Sequence, residues 1–142
     1  MFRASHTVKT LAVPEELWDL VRDVTQWKRW LLGIDQVQLN GQIAVGARGL
    51  LCLYGGAVHQ MVICKYDLGR LEAIVSLRFG VKMHLLIDVS SLPTGSQVRV
   101  EGELLGAMSI LHAFGWGRNL KMGIVPATRR LGFLSQRLAS YR

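Results

Sequence analysis

The residues of this sequence that come closest to a catalytic pair are Cys52 and His59. They flank Tyr54-Gly55-Gly56-Ala57, a segment that predicts a tight hairpin because two glycines supply positive φ. If Tyr54 pairs with Ala57, Cys52 lies opposite His59, which is the arrangement of a thiol nucleophile and its base. The same register places both on the more polar sheet face, away from a cleft. A half-exposed cross-strand pair is therefore the favoured interpretation.

Metal, phosphate and acyl-transfer sites are not indicated. Two histidines of the strand region, His59 and His84, and the two cysteines show no ligand pair at a recognised close spacing, so we expect no metal site and no cofactor. The glycines at 46, 49, 55 and 56 fall in a hairpin region, which excludes a phosphate-binding loop. The sequence also has no serine elbow and no close pair of acids.

The chain order predicts an α+β protein. A strand over 2–11 precedes a helix that opens at Pro14 and a short helix over 26–31, for which Thr25 is the expected cap. Hydrophobic alternation and turn residues then predict six strands, over 34–39, 47–53, 58–66, 71–79, 81–89 and 97–104. Tight turns at 54–57 and 67–70 require antiparallel neighbours, and all helices fall at the ends of this run.

A long C-terminal helix is predicted within 106–142, kinked where Pro126 removes a hydrogen bond. Its apolar stripe consists of Leu120, Ile124, Ala127, Leu131, Leu134, Leu138 and Tyr141. The first part, from Ala107 to Gly117, is rich in glycine, which costs roughly 1 kcal/mol per residue in a helix interior. We expect these glycines to allow close approach to the sheet or to leave space for a ligand.

The two turns also predict which residues share a sheet face. The face expected to meet the long helix collects Leu51, Leu53, Val58, Val62, Cys64, Tyr66, Leu71, Ala73, Val75, Leu77 and Phe79, joined by Met83, Leu85 and Ile87. Gln60 and Tyr66 are the main polar candidates for this concave face. On the opposite face we expect an apolar patch of Leu50, Met61, Ile63, Ile74 and Leu86, which makes a homodimer through the sheet a hypothesis.

Composition limits the class of protein and of partner. The 142 residues, half of them apolar, suit one globular domain, 1–142. Two cysteines and an N-terminus without an apolar segment favour a cytoplasmic protein. The net charge is +7, and 106–142 holds six basic residues and no acid. This helix could meet an anionic membrane or an acidic partner, but a solvated outer face is the favoured interpretation, and we expect no nucleic acid.

Four segments carry a resemblance to a known family: Ala12-Val13-Pro14-Glu15-Glu16-Leu17-Trp18, Trp27-Lys28-Arg29-Trp30, Gly46-Ala47-Arg48-Gly49 and Gly95-Ser96-Gln97-Val98. Together they resemble the START-like (SRPBCC) helix-grip superfamily, in particular its polyketide cyclase/dehydrase and lipid-transport group. The resemblance covers essentially the whole chain. It implies a seven-stranded antiparallel sheet curled around the long helix, two short helices after the first strand, and a cavity for an apolar ligand.

Binding or transport of a hydrophobic small molecule, lipid-, polyketide- or sterol-like, is the function we expect. The predicted lining is Trp30, Leu51, Leu53, Gln60, Val75, Leu77, Met83, Leu85, Met108, Leu111 and His112. One alternative is a polyketide aromatase/cyclase or dehydratase-like enzyme that uses this cavity, with His112 or Tyr66 as candidate catalytic groups. Convergence of His112, Tyr66, Gln60 and Trp30 would favour it. The other alternative is an accessory protein that docks through its basic helix.

Overall fold

A computed structural model describes residues 2–31, 33–77, 80–106 and 118–139, with the backbone alone at residues 2, 118–123 and 138–139. The strands are β1 (Phe2–Thr10), β2 (Ile34–Leu39), β3 (Arg48–Leu53), β4 (Val58–Asp67), β5 (Arg70–Ser76), β6 (Lys82–Leu92) and β7 (Gly95–Leu105). The helices are α1 (Pro14–Arg22), α2 (Trp27–Trp30) and α3 (Arg118–Ala139), with a 3₁₀ turn at Val24–Gln26. The strands form one antiparallel sheet in the order β1-β7-β6-β5-β4-β3-β2. The predicted α+β architecture is confirmed.

The short helices after β1 are attached to the core by tryptophans. The indole nitrogen of Trp27 donates to the Val21 carbonyl at 2.8 Å, and that of Trp30 donates to the Leu20 carbonyl at 3.2 Å. Both side chains are fully buried, so each satisfies its one polar atom inside the core. The predicted cap at Thr25 is wrong. Asp23 caps the 3₁₀ turn instead, because its carboxylate accepts from the Thr25 amide at 3.1 Å.

Helix α3 buries the predicted apolar stripe where its side chains are described. Ile124, Ala127 and Leu131 are buried and Leu134 is half-buried, whereas Leu120, Leu138 and Tyr141 fall outside the described side chains. Pro126 lies inside the helix, where its missing N–H removes one backbone hydrogen bond. The helix packs mainly on β1 and β7. It therefore covers the sheet from the β1 edge.

Helix α3 also shares a small buried polar cluster with β1. Thr10 Oγ1 lies 3.3 Å from both the Gly132 carbonyl and Ser135 Oγ, and it accepts from the Ala12 amide at 3.2 Å. Ser135 Oγ donates to the Gly132 carbonyl at 2.7 Å. These buried hydroxyls are thus hydrogen-bonded within the interface, which avoids the cost of burying them unpaired. The cluster fixes where α3 lies along β1.

The β3–β4 hairpin is one residue longer than predicted. The Leu53 amide donates to the Ala57 carbonyl at 2.8 Å, so the loop contains three residues, two of them glycines with φ of 99° and 93°. Cys52 therefore pairs with Val58, and His59 pairs with Leu51. Because side chains alternate along a strand, this single-residue shift exchanges the two faces of β4. The opposed Cys52–His59 pair predicted from the sequence does not exist.

Several face predictions for β4 are wrong for the same reason. His59, Met61 and Ile63 lie on the inner face towards α3, and Gln60 and Val62 lie on the outer face, as does Val58. A β-bulge between Ile63 and Lys65 absorbs Cys64, which is exposed, and returns Tyr66 to the inner face opposite Leu71. The bulge also shifts the β4–β5 ladder by one position, so that Val62 pairs with Ile74.

The outer apolar patch has a different composition as well. Met61 and Ile63 are buried on the inner face, so they cannot belong to it. Its described members are Leu50, Val58, Val62, Ile74 and Leu86, of which Leu50 and Val58 are exposed. A homodimer through this face stays a prediction.

The close approach of α3 to β1 gives a first testable prediction. A Cβ at Gly132 would lie 2.9 Å from Val8 Cγ1, which is closer than side chains normally pack. Gly132→Ala should gain less than the roughly 1 kcal/mol that alanine offers a helix. In a Val8→Ala background the same change should be more stabilising by at least about 0.5 kcal/mol in urea denaturation. Additivity of the two substitutions would contradict the contact.

Candidate functional site

The inner face of the sheet is sealed at one end. There Leu71, Ile87 and Val100 are completely buried in adjacent strands. Trp18 of α1 stacks on Tyr66 with 5.7 Å between ring centroids and 18° between planes. The aromatic stack covers this end of the sheet with apolar surface.

We call the opposite end of the inner face the open end, because the described residues cover it less completely. Leu53, Leu77 and Met83 point to the same side as the buried core, yet each is only half-buried. Between the two ends, Leu51, Val75 and Leu85 are at most 4% exposed. Burial therefore falls from one end of the sheet to the other, and apolar side chains remain accessible where the cover is incomplete.

His59 is the polar side chain of this open end among the described inner-face residues. It pairs with Leu51 across the β3–β4 ladder, and the β4–β5 register places Leu77 on its other side. Its Nδ1 lies 3.2 Å from the Ser76 carbonyl oxygen, so a hydrogen bond there requires the ring to donate from Nδ1. The contact holds the half-buried imidazole at the edge of an apolar surface.

The predicted lining residues separate into groups. Leu51, Val75 and Leu85 form the buried middle of the inner face, and Leu53, Leu77 and Met83 form its open end. Trp30 is a fully buried core residue. Gln60 is exposed on the outer face, so its predicted position is wrong. Met108, Leu111 and His112 lie outside the described residues, in the segment that follows Gly106, which itself lies beside Gly80 and Val81.

The polar candidates for catalysis do not converge within the described part of the chain. Tyr66 stacks on Trp18 at the sealed end, Trp30 bonds to a backbone carbonyl in the core, and Gln60 faces away from α3. The predicted two-residue hairpin loop places His59 on the outer face, and this prediction is wrong. The adjacent glycines 55 and 56 were the available signal, since a second residue with positive φ also suits a three-residue loop.

Charged side chains of the described strands concentrate on the outer face instead. Glu72 accepts a hydrogen bond from Arg70 Nε at 3.1 Å, and its other oxygen lies 2.8 Å from His84 Nε2. On neighbouring strands Arg3 contacts Glu101 at 3.6 Å and Glu103 at 3.2 Å. This network is separated from the inner surface by the sheet itself.

The network alters two pKa values. Burial opposes ionisation of Glu72, but the hydrogen bonds and charges of Arg70 and His84 outweigh it and hold the carboxyl pKa below its usual value. Burial and then the Glu72 charge raise the pKa of the Cys64 thiol. A raised pKa keeps a thiol protonated and therefore weakly nucleophilic. Cys64 is thus poorly suited to catalysis.

No group of three or more His, Cys, Asp or Glu side chains in the described ranges is placed to hold a metal ion. Among the described helices, none combines the length and hydropathy needed to cross a bilayer.

Comparison with solved structures identifies the fold. The Helicobacter pylori protein jhp0584 superimposes with a TM-score of 0.80 at 12% identity, over 94% of this chain and 87% of its own. Protein MLL2253 from Mesorhizobium loti superimposes with a TM-score of 0.74 at 20% identity, over 95% of this chain and 97% of its own. The di-domain ARO/CYC StfQ from the steffimycin biosynthetic pathway superimposes with a TM-score of 0.75 at 8% identity, over 98% of this chain and 52% of StfQ.

No protein-family model matches the sequence, and no curated protein is significantly similar to it. At these identities the structural matches establish the fold and leave the ligand open. The chain has a helix-grip fold, as its sequence resemblance implied.

The outer-face network gives a second prediction. Glu72→Gln should lower the free energy of unfolding by about 1 kcal/mol at neutral pH, because charge-assisted hydrogen bonds are lost. A carboxyl with a lowered folded-state pKa stabilises the fold above its unfolded pKa, and loses that contribution as pH falls through the folded value. The gap between wild type and variant should therefore narrow once the pH falls below the unfolded pKa of about 4.3 and close below the lower, folded-state pKa.

Urea denaturation at a series of pH values measures this gap, with Asp35→Asn as an exposed control. A gap that stays constant down to acid pH would show that Glu72 does not act through its charge.

Proposed function

We propose that residues 1–142 form a single domain that binds a hydrophobic small molecule between the inner face of the sheet and α3. The observation that carries the proposal is the half-burial of Leu53, Leu77 and Met83 on a face that is otherwise core. A soluble fold gains nothing by leaving apolar side chains of its core face accessible, whereas a ligand that covers them gains about 25 cal/mol for each Å² removed from water.

The shape of the surface indicates how a ligand would lie. The sealed end limits how far it enters, because Tyr66 and Trp18 occupy that end. Met83 has an unbranched, adaptable side chain that suits contact with varied apolar shapes. An apolar body would rest on the open end, with one polar group placed at His59. A lipid-, polyketide- or sterol-like molecule has these features.

The alternative is a polyketide aromatase/cyclase or dehydratase-like enzyme acting in the same place. The structural likeness to the ARO/CYC protein StfQ favours this alternative. His59 is the described inner-face group at the open end that could move a proton there. Tyr66 is less suitable because it packs under Trp18, and His112 lies outside the described residues. His59→Gln tests this alternative. In either case the affinity for the ligand should change by no more than a fewfold, but an enzyme that uses His59 would lose its turnover.

We also place the protein in the cytoplasm. Cys52 and Cys64 are both free thiols in the fold, and one of them is exposed. Exposed thiols persist in a reducing compartment and are oxidised outside it. Detection of the mature protein in the periplasm or culture medium of its host would contradict this assignment.

Native mass spectrometry tests the proposal most directly. Protein purified from its own host under gentle conditions should carry an additional mass that organic solvent releases, and the extract should partition as an apolar compound. Protein that remains ligand-free, and that also fails to bind an apolar fluorescent dye, would exclude the proposal.

A cavity-filling substitution gives the third prediction. Met83→Trp should fill the open end and weaken dye or ligand binding by at least roughly tenfold, because the larger ring occupies the space that the ligand needs. Val62→Trp is the matched control, since Val62 is also half-buried but lies on the outer face. Dye titration compares the two, and thermal unfolding verifies that both variants fold. Equal loss in both variants would place the binding surface elsewhere.

A further inference from the structure

The outward side of α3 is a second surface with an unusual composition. Its exposed residues in the described part of the helix are Arg129, Arg130, Phe133, Gln136 and Arg137. At about 100° of rotation per residue, the three arginines lie within about 60° of Phe133 around the helix axis. Phe133 is 64% exposed. An aromatic ring therefore stands at the centre of a cationic strip, turned away from the sheet.

Two of the arginines in this strip have no acidic partner among the described residues. No Asp or Glu occurs from residue 106 to residue 142. Within the described residues, neither Arg129 nor Arg130 takes part in a salt bridge, in contrast to Arg3, Arg22 and Arg70, which all pair with acids. Arginines that only keep a helix solvated do not require an exposed aromatic side chain such as Phe133 among them.

A neighbouring loop adds aliphatic side chains. Leu11 and Val13 follow β1 and are 74% and 49% exposed. The loop begins at Thr10, whose hydroxyl lies 3.3 Å from the Gly132 carbonyl and from Ser135 Oγ. Thr10 therefore meets the buried side of the stretch of α3 whose exposed side carries Phe133. Exposed large apolar residues thus occur on both of the elements that meet at this interface.

We propose that this surface docks on an anionic lipid bilayer, with the arginines at the phosphate groups and Phe133 inserted between them. Interfacial helices combine basic residues with exposed apolar anchors in this way. The inference goes beyond ligand binding and does not depend on it, because the surface lies on the outward side of the helix that covers the inner face.

Lipid fits this surface better than other polyanions do. A bilayer offers negative charge and an apolar layer a few ångströms apart, which matches arginines and a phenylalanine on one helix face. A nucleic acid duplex offers phosphates but keeps its bases stacked, so it would leave Phe133 exposed to water. An acidic protein would have to supply a complementary apolar pocket as well as charge.

Vesicle sedimentation tests the proposal on the full chain. Wild type should bind vesicles of phosphatidylcholine mixed with phosphatidylglycerol, bind pure phosphatidylcholine much more weakly, and lose binding as salt is raised. Arg129→Ala with Arg130→Ala should weaken binding roughly 30-fold, which corresponds to about a fivefold loss for each basic residue near the surface. Phe133→Ala should weaken it roughly tenfold, and Phe133→Trp should preserve it.

Matched controls separate this surface from general charge and hydrophobicity. Lys28→Ala with Lys82→Ala removes the same charge at exposed positions elsewhere, and Tyr54→Ala removes an aromatic that is 70% exposed. Both controls should bind as wild type does. Alanine favours helices, so the α3 variants should keep their stability.

Three outcomes would overturn the proposal: no binding of wild type to anionic vesicles at low salt, equal losses in the controls, or binding that does not depend on Phe133. Binding of duplex DNA or polyglutamate in preference to vesicles would also overturn it, in favour of that class of partner. Loss of vesicle binding in the α3 variants with unchanged dye binding would show that the two surfaces act separately.

Discussion

The contact of α3 with β1 is the constraint on which the rest of the structure depends. Gly132 lets the helix backbone come close to Val8, and the Thr10–Ser135 cluster fixes its position along the strand. With α3 held at this edge of the sheet, the helix covers β1 and β7 most closely. The strands farther along the sheet, β3 to β5, therefore depend on other elements for their cover.

The short helices supply part of that cover, and they do so at one end. Trp18 closes the sheet over Tyr66, while Trp27 and Trp30 tie the following turn to α1 through backbone carbonyls. The other end, where Leu53, Leu77 and Met83 lie, has less cover from the described elements. An asymmetric cover of this kind yields a closed core and an accessible apolar surface on the same face, which is what a binding protein for apolar molecules needs.

The sheet and α3 also separate charge from the apolar surface. Mixed-sign networks around Glu72 and Arg3 lie on the outer sheet face, where the carboxylates are neutralised by neighbours. The cationic strip lies on the outward side of α3, where no acid is available in sequence. The networks on the sheet face pair charges of both signs, whereas Arg129 and Arg130 of the strip form no salt bridge within the described residues. This difference is why we assign an anionic partner to the helix.

Much of the architecture could be predicted from the sequence because it depends on local patterns. Pro14 with Glu15 and Glu16 marked the start of α1, alternation marked the strands, and the spacing of Ile124, Ala127 and Leu131 marked the buried side of α3. The turn at Asp67–Arg70 was also placed correctly. Periodicity and turn chemistry act over a few residues, so they can be recognised without knowledge of the fold.

Only the tertiary structure decided which side chains of β4 face α3. A third loop residue in the β3–β4 hairpin and a bulge at Cys64 each shift the ladder by one position, and such a shift moves a side chain from one face to the other. These shifts put His59 on the inner face and Gln60 outside. Both assignments of the β4 side chains to the two sheet faces are compatible with the local pattern of apolar residues. What separates them is the burial of Met61 and Ile63 in the core, a contact between residues far apart in the chain.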